Sequence, residues 1–219
     1  MNFDQAIELL EKMLKERTND SSYSWGRKQD NSSDKKTDFI YGMSSYSALL
    51  RRCEAENLDS SLTEYAKNRW LNFKSANAIE AMFSQHKFVK KESNPYHQYI
   101  DFYINGINFD HKTSQFPKGF GHDLNYAKEH KKEIIEWLYR NQSRERRMHF
   151  ENRLFVILYD KKNSQHWKLK SNLKEIYAKI TDYLDNFDKN NLIALDQGLL
   201  RDGKSNNKII YSDVIWYIS

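Results

Sequence analysis

Asp101, Asp110 and Lys112 stand within one short stretch, YIDFYINGINFDHKTS, centred on an Asn105-Gly106 dipeptide. Asn-Gly between alternating apolar residues specifies a two-residue type I′ hairpin, because both central positions need positive φ. With that dipeptide as the loop, Ile104 faces Ile107, and counting outward sets Asp101 opposite Asp110. Strand side chains alternate, so the two carboxylates and Lys112 share one face, while Ile100, Phe102, Ile104, Ile107 and Phe109 form an apolar face behind it. Directly opposed residues have β-carbons about 4.5 to 5.5 Å apart, a spacing at which two carboxylates repel. A divalent cation held by both acids, with a lysine beside it, would offset that repulsion. His111 alternates onto the core-facing side and reads as structural.

The elements around this hairpin must hold it against a core. Residues 3–17, FDQAIELLEKMLKER, place Phe3, Ile7, Leu10 and Leu14 on one face and predict an opening helix. The polar run NDSSYSWGRKQDNSSDKKTD that follows predicts a loop. Two helices are expected over residues 43–57 and 61–74, and Ser75 would cap a further short helix carrying Glu80. From KFVKKES onward the period shifts to that of strands, with Pro95 separating this first strand from the hairpin at residues 98–115. The loop FPKGFGHD leads into a helix expected over residues 123–147, and RLFVILYD, residues 153–160, is an apolar run typical of a central strand covered on both faces. An amphipathic helix bearing Trp167, Leu169, Leu173, Ile176, Ile180 and Leu184 precedes two closing strands, NLIALDQ and KIIYSDVIWYIS. This order predicts an α/β (α+β) protein, a mixed sheet with helices on its faces. We read residues 1–219 as a single domain, with a helical N-terminal region 1–74, a core 75–160 and a C-terminal helix and strands 161–219.

Composition narrows the classes. With 39% hydrophobic, 14% aromatic and 30% charged residues, the 219-residue chain is expected to fold. Its single cysteine, Cys53, excludes a disulfide within one chain and a cysteine-based zinc cluster. No apolar run approaches the roughly 18 to 20 residues that span a bilayer, and MNFDQAIELLEKML carries acids where a signal peptide needs a basic start. The expectation is a cytoplasmic protein without a membrane partner. A net charge of +5 permits a polyanionic partner. Arg140, Arg144, Arg146, Arg147 and Arg153 gather in RNQSRERRMHFENR, either to meet phosphate or as a solvated helix end.

Helix, strand, hairpin bearing Asp-x(8)-Asp-x-Lys, helix, strand: over residues 75–160 this pattern resembles the PD-(D/E)xK nuclease superfamily, which includes restriction endonucleases and junction resolvases. Two departures are visible, Ile100 where the family name has proline and Asp110 in place of the commoner glutamate. The resemblance implies a restriction-endonuclease-like mixed central sheet flanked by helices, here with an extra helical N-terminal region. It implies that Asp101, Asp110 and, from the preceding helix, Glu80 hold one or two Mg²⁺ ions, with Mn²⁺ as a substitute. Lys112 would orient or deprotonate the attacking water or stabilise developing negative charge. The catalytic set is then Asp101, Asp110, Lys112 and Glu80, the substrate nucleic acid, with DNA favoured, and a homodimer would let two sites cut a duplex. Four residues from Ala76 and three from Phe83, Glu80 lies near the apolar stripe of its helix, within reach of such a site.

Secondary candidates surround this set. Gln115 continues the active strand, Lys118, Gly119 and Gly121 could approach a nucleic-acid backbone, and Trp25, Arg27 and Lys28 could contact DNA. His86, His97, His122 and His130 lack the paired spacing of a zinc helix. The alternative function is a non-catalytic nucleic-acid-binding or protein-interaction module on the same fold, in which Lys112 merely offsets Asp110 along the strand.

Overall fold

Asn105 and Gly106 turn the chain with φ of 48° and 85°, the two positive values that a type I′ hairpin requires. The computed structural model describes residues 2–20, 29–94, 97–141 and 150–219. In it the dipeptide joins β2 (Phe102–Ile104) to β3 (Ile107–Gln115), antiparallel, with Ile104 opposite Ile107 and Phe102 opposite Phe109. With β1 (Val89–Lys91), β4 (Arg153–Tyr159), β5 (Ile193–Asp196) and β6 (Ile209–Ile218) they form a six-stranded mixed sheet in the order β1-β2-β3-β4-β6-β5. β1, β2 and β3 form an antiparallel meander, β3, β4 and β6 run parallel, and β5 returns antiparallel on β6. The protein is therefore α+β, with helices beside a mixed open sheet.

The chain divides into two compact units, one formed by residues up to Ile79 with Trp167–Glu175, the other by Glu80–His166 with Ile176–Ser219. The first is helical: α1 (Phe3–Asn19), α2 (Asn31–Lys36), α3 (Tyr46–Ala55) and most of α4 (Ser60–Phe83). Asn2 and Gln5 cap α1 reciprocally, satisfying two of the donors that every helix start leaves open. Leu14, Leu49, Tyr65, Trp70 and Leu71 fill the core of this unit, and Cys53 is buried with them on α3. Arg17 is buried too, bonded to Glu64 at 3.3 Å and Asn68 at 3.0 Å, with its guanidinium 5.2 Å from the Trp167 ring.

The second unit holds the sheet, α5 (Leu124–Glu129), α6 (Lys131–Asn141), most of α7 (Leu173–Asp185) and α8 (Gln197–Arg201). Ile134, Ile135, Leu138 and Leu200 pack on Phe155, Ile157 and Val214 from one face of the sheet. By alternation Leu154, Val156 and Leu158 face the opposite side, and all are fully buried. Each such side chain contributes about 1.5 to 3 kcal/mol relative to exposure, so β4 anchors the unit.

Several boundaries differ from those expected. No glycine or proline interrupts residues 60–83, so the helices expected over 61–74 and after Ser75 are one; Ser75 sits inside it, its hydroxyl donating to Asn72 O at 3.2 Å. The helix expected over 123–147 breaks at His130, which leaves helical dihedrals with φ −111° and ψ 50°. Part of the expected polar loop is helical, because Asp30 caps α2 through Ser33 N at 2.8 Å. Among the described residues no helix is long and apolar enough to cross a membrane.

Candidate active site

β3 enters the sheet at Asp110, where it begins to pair with β4 in a register that sets Asp110 beside Arg153, and Arg153 beside Ser212 of β6. Parallel neighbours in register project to the same side, so Asp110 and Arg153 meet above the sheet. Arg153 Nε donates to Asp110 Oδ2 at 2.7 Å and Lys112 Nζ to Asp110 Oδ1 at 2.7 Å. Asp110 is 6% exposed and Arg153 5%, whereas the Lys112 side chain keeps 49% of its surface in solvent. The guanidinium of Arg153 lies 5.2 Å from the Tyr139 ring and 5.9 Å from Phe155. This cation is locked from behind by aromatic faces.

The antiparallel ladder stops short of Asp101. Its N–H donates to Phe109 O at 2.9 Å, one residue out of the register that pairs Phe102 with Phe109, while Asp110 N–H donates across to Asn152 O at 3.0 Å. The Asp101 carboxylate instead accepts from His111 N–H at 2.7 Å and lies 3.1 Å from His111 Nδ1. A side-chain oxygen thus fills the place that a continued β2 backbone would occupy beside His111. Burial pushes the Asp101 carboxyl up, but the His111 hydrogen bond and charge, helped by Lys112, outweigh it and hold the group below the usual carboxylate range.

The mutual repulsion expected of two opposed aspartates is therefore relieved by protein cations and donors, His111 for Asp101 and Lys112 with Arg153 for Asp110. His111 is buried, 6.0 Å from the ring of Phe83 and 6.4 Å from that of Phe102. Strand alternation predicts that burial; it does not predict the hydrogen bonds from His111 to Asp101. Nε2 of His111 and Oγ1 of Thr113, two residues apart on one face of β3, are buried without a partner among the described residues.

Arg153 corrects one expectation and supplies what the sequence reading missed. It does not join a phosphate-facing arginine patch; it is buried against Asp110. Its position at the start of an apolar strand was the available signal, since a charge there demands a partner. Arg140 is exposed and 3.6 Å from Glu136, while Arg144, Arg146 and Arg147 lie outside the described residues, as do Trp25, Arg27, Lys28 and Pro95. Glu80 pairs with Lys91 at 3.0 Å, and among the described residues no three acidic, histidine or cysteine side chains converge as a metal-holding group. The expected three-carboxylate set of Glu80, Asp101 and Asp110 is thus not assembled. Gln115 ends β3 half-buried. Gly119 is exposed, and a β-carbon there would meet the Trp137 ring at 3.0 Å. Lys118–Phe120 form a 3₁₀ turn leading to Asp123, which caps α5.

The donor chemistry can be tested against a divalent ion. Asp101 and Asp110 offer hard carboxylate oxygens, and Mg²⁺ is commonly held by one or two carboxylates with water and substrate phosphate completing the shell. One oxygen of Asp101 has no hydrogen bond among the described residues, and Asp110 Oδ1 accepts from the half-exposed Lys112. By donor type these two groups suit Mg²⁺. Comparison of the chain with protein-family models, with curated proteins and with solved structures finds no match.

Proposed function

We propose that the protein is a cytosolic Mg²⁺-dependent nuclease that hydrolyses phosphodiester bonds in DNA, built on a restriction-endonuclease-like core. The observation that carries this reading is Asp110 held 2.7 Å from Lys112 at the mouth of β3, with Asp101 bonded to His111, the residue between them in sequence. The order of elements supports it: the last turn of α4, an antiparallel β1-β2-β3 meander, α5 and α6, then β4 parallel to β3 follow the sequence that the superfamily resemblance implies.

Asp101 and Asp110 would hold Mg²⁺, which would supply Lewis acidity toward a water and the scissile phosphate. The chain's own groups do the rest. Arg153 fixes Asp110 from the buried side, so that the carboxylate presents Oδ1 outward. Lys112, on a half-exposed stem, can leave Oδ1 and place its ammonium against the phosphate or the attacking water. His111 aligns Asp101 by holding one oxygen through two nitrogens. Incubation with linear, circular, branched and single-stranded DNA, with and without Mg²⁺ or Mn²⁺, is expected to give metal-dependent cleavage that falls at least about a hundredfold in Asp110→Asn. Cleavage that survives this substitution, or none with any metal, removes the proposal.

A second reading has its own observation. Both oxygens of Asp110 are already neutralised by Lys112 and Arg153, which suits a non-catalytic nucleic-acid-binding or interaction module. Salt-dependent DNA binding unchanged in Asp101→Ala, with no metal uptake by calorimetry, would favour it.

A further inference from the structure

β3 runs on through a short loop into three rings stacked face to face. His122, Tyr126 and His130 lie with centroids 3.9 Å apart in each successive pair and planes inclined by 12°. Tyr126 lies on α5, with His122 just before its cap Asp123 and His130 at its C-terminal end, and the spacing of four residues aligns the three rings along that short helix. The inner two are fixed by hydrogen bonds: His130 Nδ1 lies 3.0 Å from Tyr126 O, and the Tyr126 hydroxyl donates to Glu133 Oε2 at 3.0 Å. His122 is exposed, touched otherwise by Phe120 at 5.4 Å with planes inclined by 64°.

This stack is not core. His122 is open to solvent, Tyr126 and His130 are only half-buried, and the apolar residues of α5, Leu124 and Ala127, point elsewhere into the packed interior. It is not a metal site either, since the Tyr126 ring separates the two imidazoles. Parallel rings at this separation are what a nucleobase stacks upon, and stacking tolerates any base because every base has a π-face. Lys118 and Lys128, both exposed and without an ion pair among the described residues, flank the stack in sequence.

We propose that His122, Tyr126 and His130 form a base-stacking platform, on which an unpaired nucleobase of a single-stranded nucleic acid seats against the outer face of His122 and extends the column, while Lys118 and Lys128 attract its phosphates. The platform shares with the nuclease reading only the nucleic-acid partner. The hydrogen bonds to Glu133 and Tyr126 O order the inner rings before binding, so little side-chain freedom is lost when the base arrives.

Fluorescence anisotropy in the presence of a chelator separates base from backbone. Wild-type protein is expected to bind a dT 12-mer about tenfold more tightly than a 12-mer of abasic sites. His122→Ala, checked by circular dichroism for an unchanged fold, should bind the two probes alike and keep the salt dependence of backbone binding. His122→Tyr should restore the preference, which neither a charge effect nor misfolding would allow. Asp110→Asn should leave it intact, so that loss of the nuclease reading and loss of the platform remain separate results. Equal binding of both probes by the wild type, or a preference that persists in His122→Ala, overturns the proposal.

Discussion

Two buried aspartates of the same sheet are neutralised in different ways. Asp110 on β3 and Asp213 on β6 are 6% and 5% exposed. Asp213 accepts from its neighbour Val214 N–H at 2.7 Å, from the Tyr183 hydroxyl at 3.1 Å, and from Lys131 at 2.6 Å. Burial, then the Asp213 charge, push the Tyr183 hydroxyl up, so it remains a neutral donor at any ordinary pH. Asp213 thus meets two neutral donors besides Lys131, whereas among the described residues the Asp110 carboxylate meets only cations, one oxygen a locked arginine and the other a lysine that is half in water. The first arrangement shares its charge among several donors; the second leaves one oxygen with a partner that is half in solvent. A buried ion pair alone does not distinguish structure from chemistry; the freedom of one partner to leave does.

That contrast can be broken at several points, taken here in falling order of expected cost to stability. Arg153→Ala strands Asp110 in a site that Lys112 alone cannot neutralise, and urea unfolding should show a loss of about 3 to 5 kcal/mol. A loss under about 1 kcal/mol would mean that Asp110 reaches solvent readily, and the distinction between the two sites would collapse. Asp213→Asn should cost about 1 to 3 kcal/mol by weakening the bonds to Lys131 and Tyr183, and DNA cleavage should be unchanged. Reduced cleavage in this variant would show that Asp213 does more than hold the sheet. Lys112→Ala should shift stability by no more than about 1 kcal/mol, since its amine is exposed, yet abolish cleavage; a variant equally stable and fully active would assign Lys112 to the surface.

The smallest effect is expected in acid. The Asp101 carboxyl is held below its ordinary value in the folded protein, so the unfolded chain binds protons first as pH falls. Its contribution is present in full above the unfolded carboxylate pKa of about 4 and is lost as pH drops through the lower folded value. In Asp101→Asn that part of the acid limb should flatten. An acid limb identical to wild type would show that the His111 contact adds nothing to folding.

The hairpin was legible because Asn105-Gly106 is a local signal, and the count from it fixed the pairing of Phe102 with Phe109. What lies one residue further was not, since Asp101 leaves the ladder for a side-chain contact with His111. The partner of Asp110 was hidden for a different reason. Arg153 is 43 residues away, and a parallel register between β3 and β4 is set by packing over α6 rather than by any turn. The buried strand RLFVILYD announced itself through its unbroken apolar run, whereas α8 did not, although Asp196 bonds Gly198 N at 2.9 Å and Leu199 N at 3.1 Å as a cap should. Five residues are too few for a periodic pattern to register. The His122 column is silent in the sequence because a stack of alternating His and Tyr lacks the paired spacing of a metal-binding helix and lies mostly outside the six residues of α5.

The position of β6 carries a kinetic consequence. It is the final strand in chain order but lies between β4 and β5, hydrogen-bonded to both. Until it docks, β4 has one edge unpaired along a strand whose residues Leu154 to Leu158 are all apolar, the kind of edge that recruits other chains. Closing it requires contacts between distant segments, which slows folding. The same strand that completes the platform for Asp110 and Arg153 therefore sets when a newly made molecule stops being prone to aggregate, and refolding at low protein concentration should recover more native chain than refolding at high concentration.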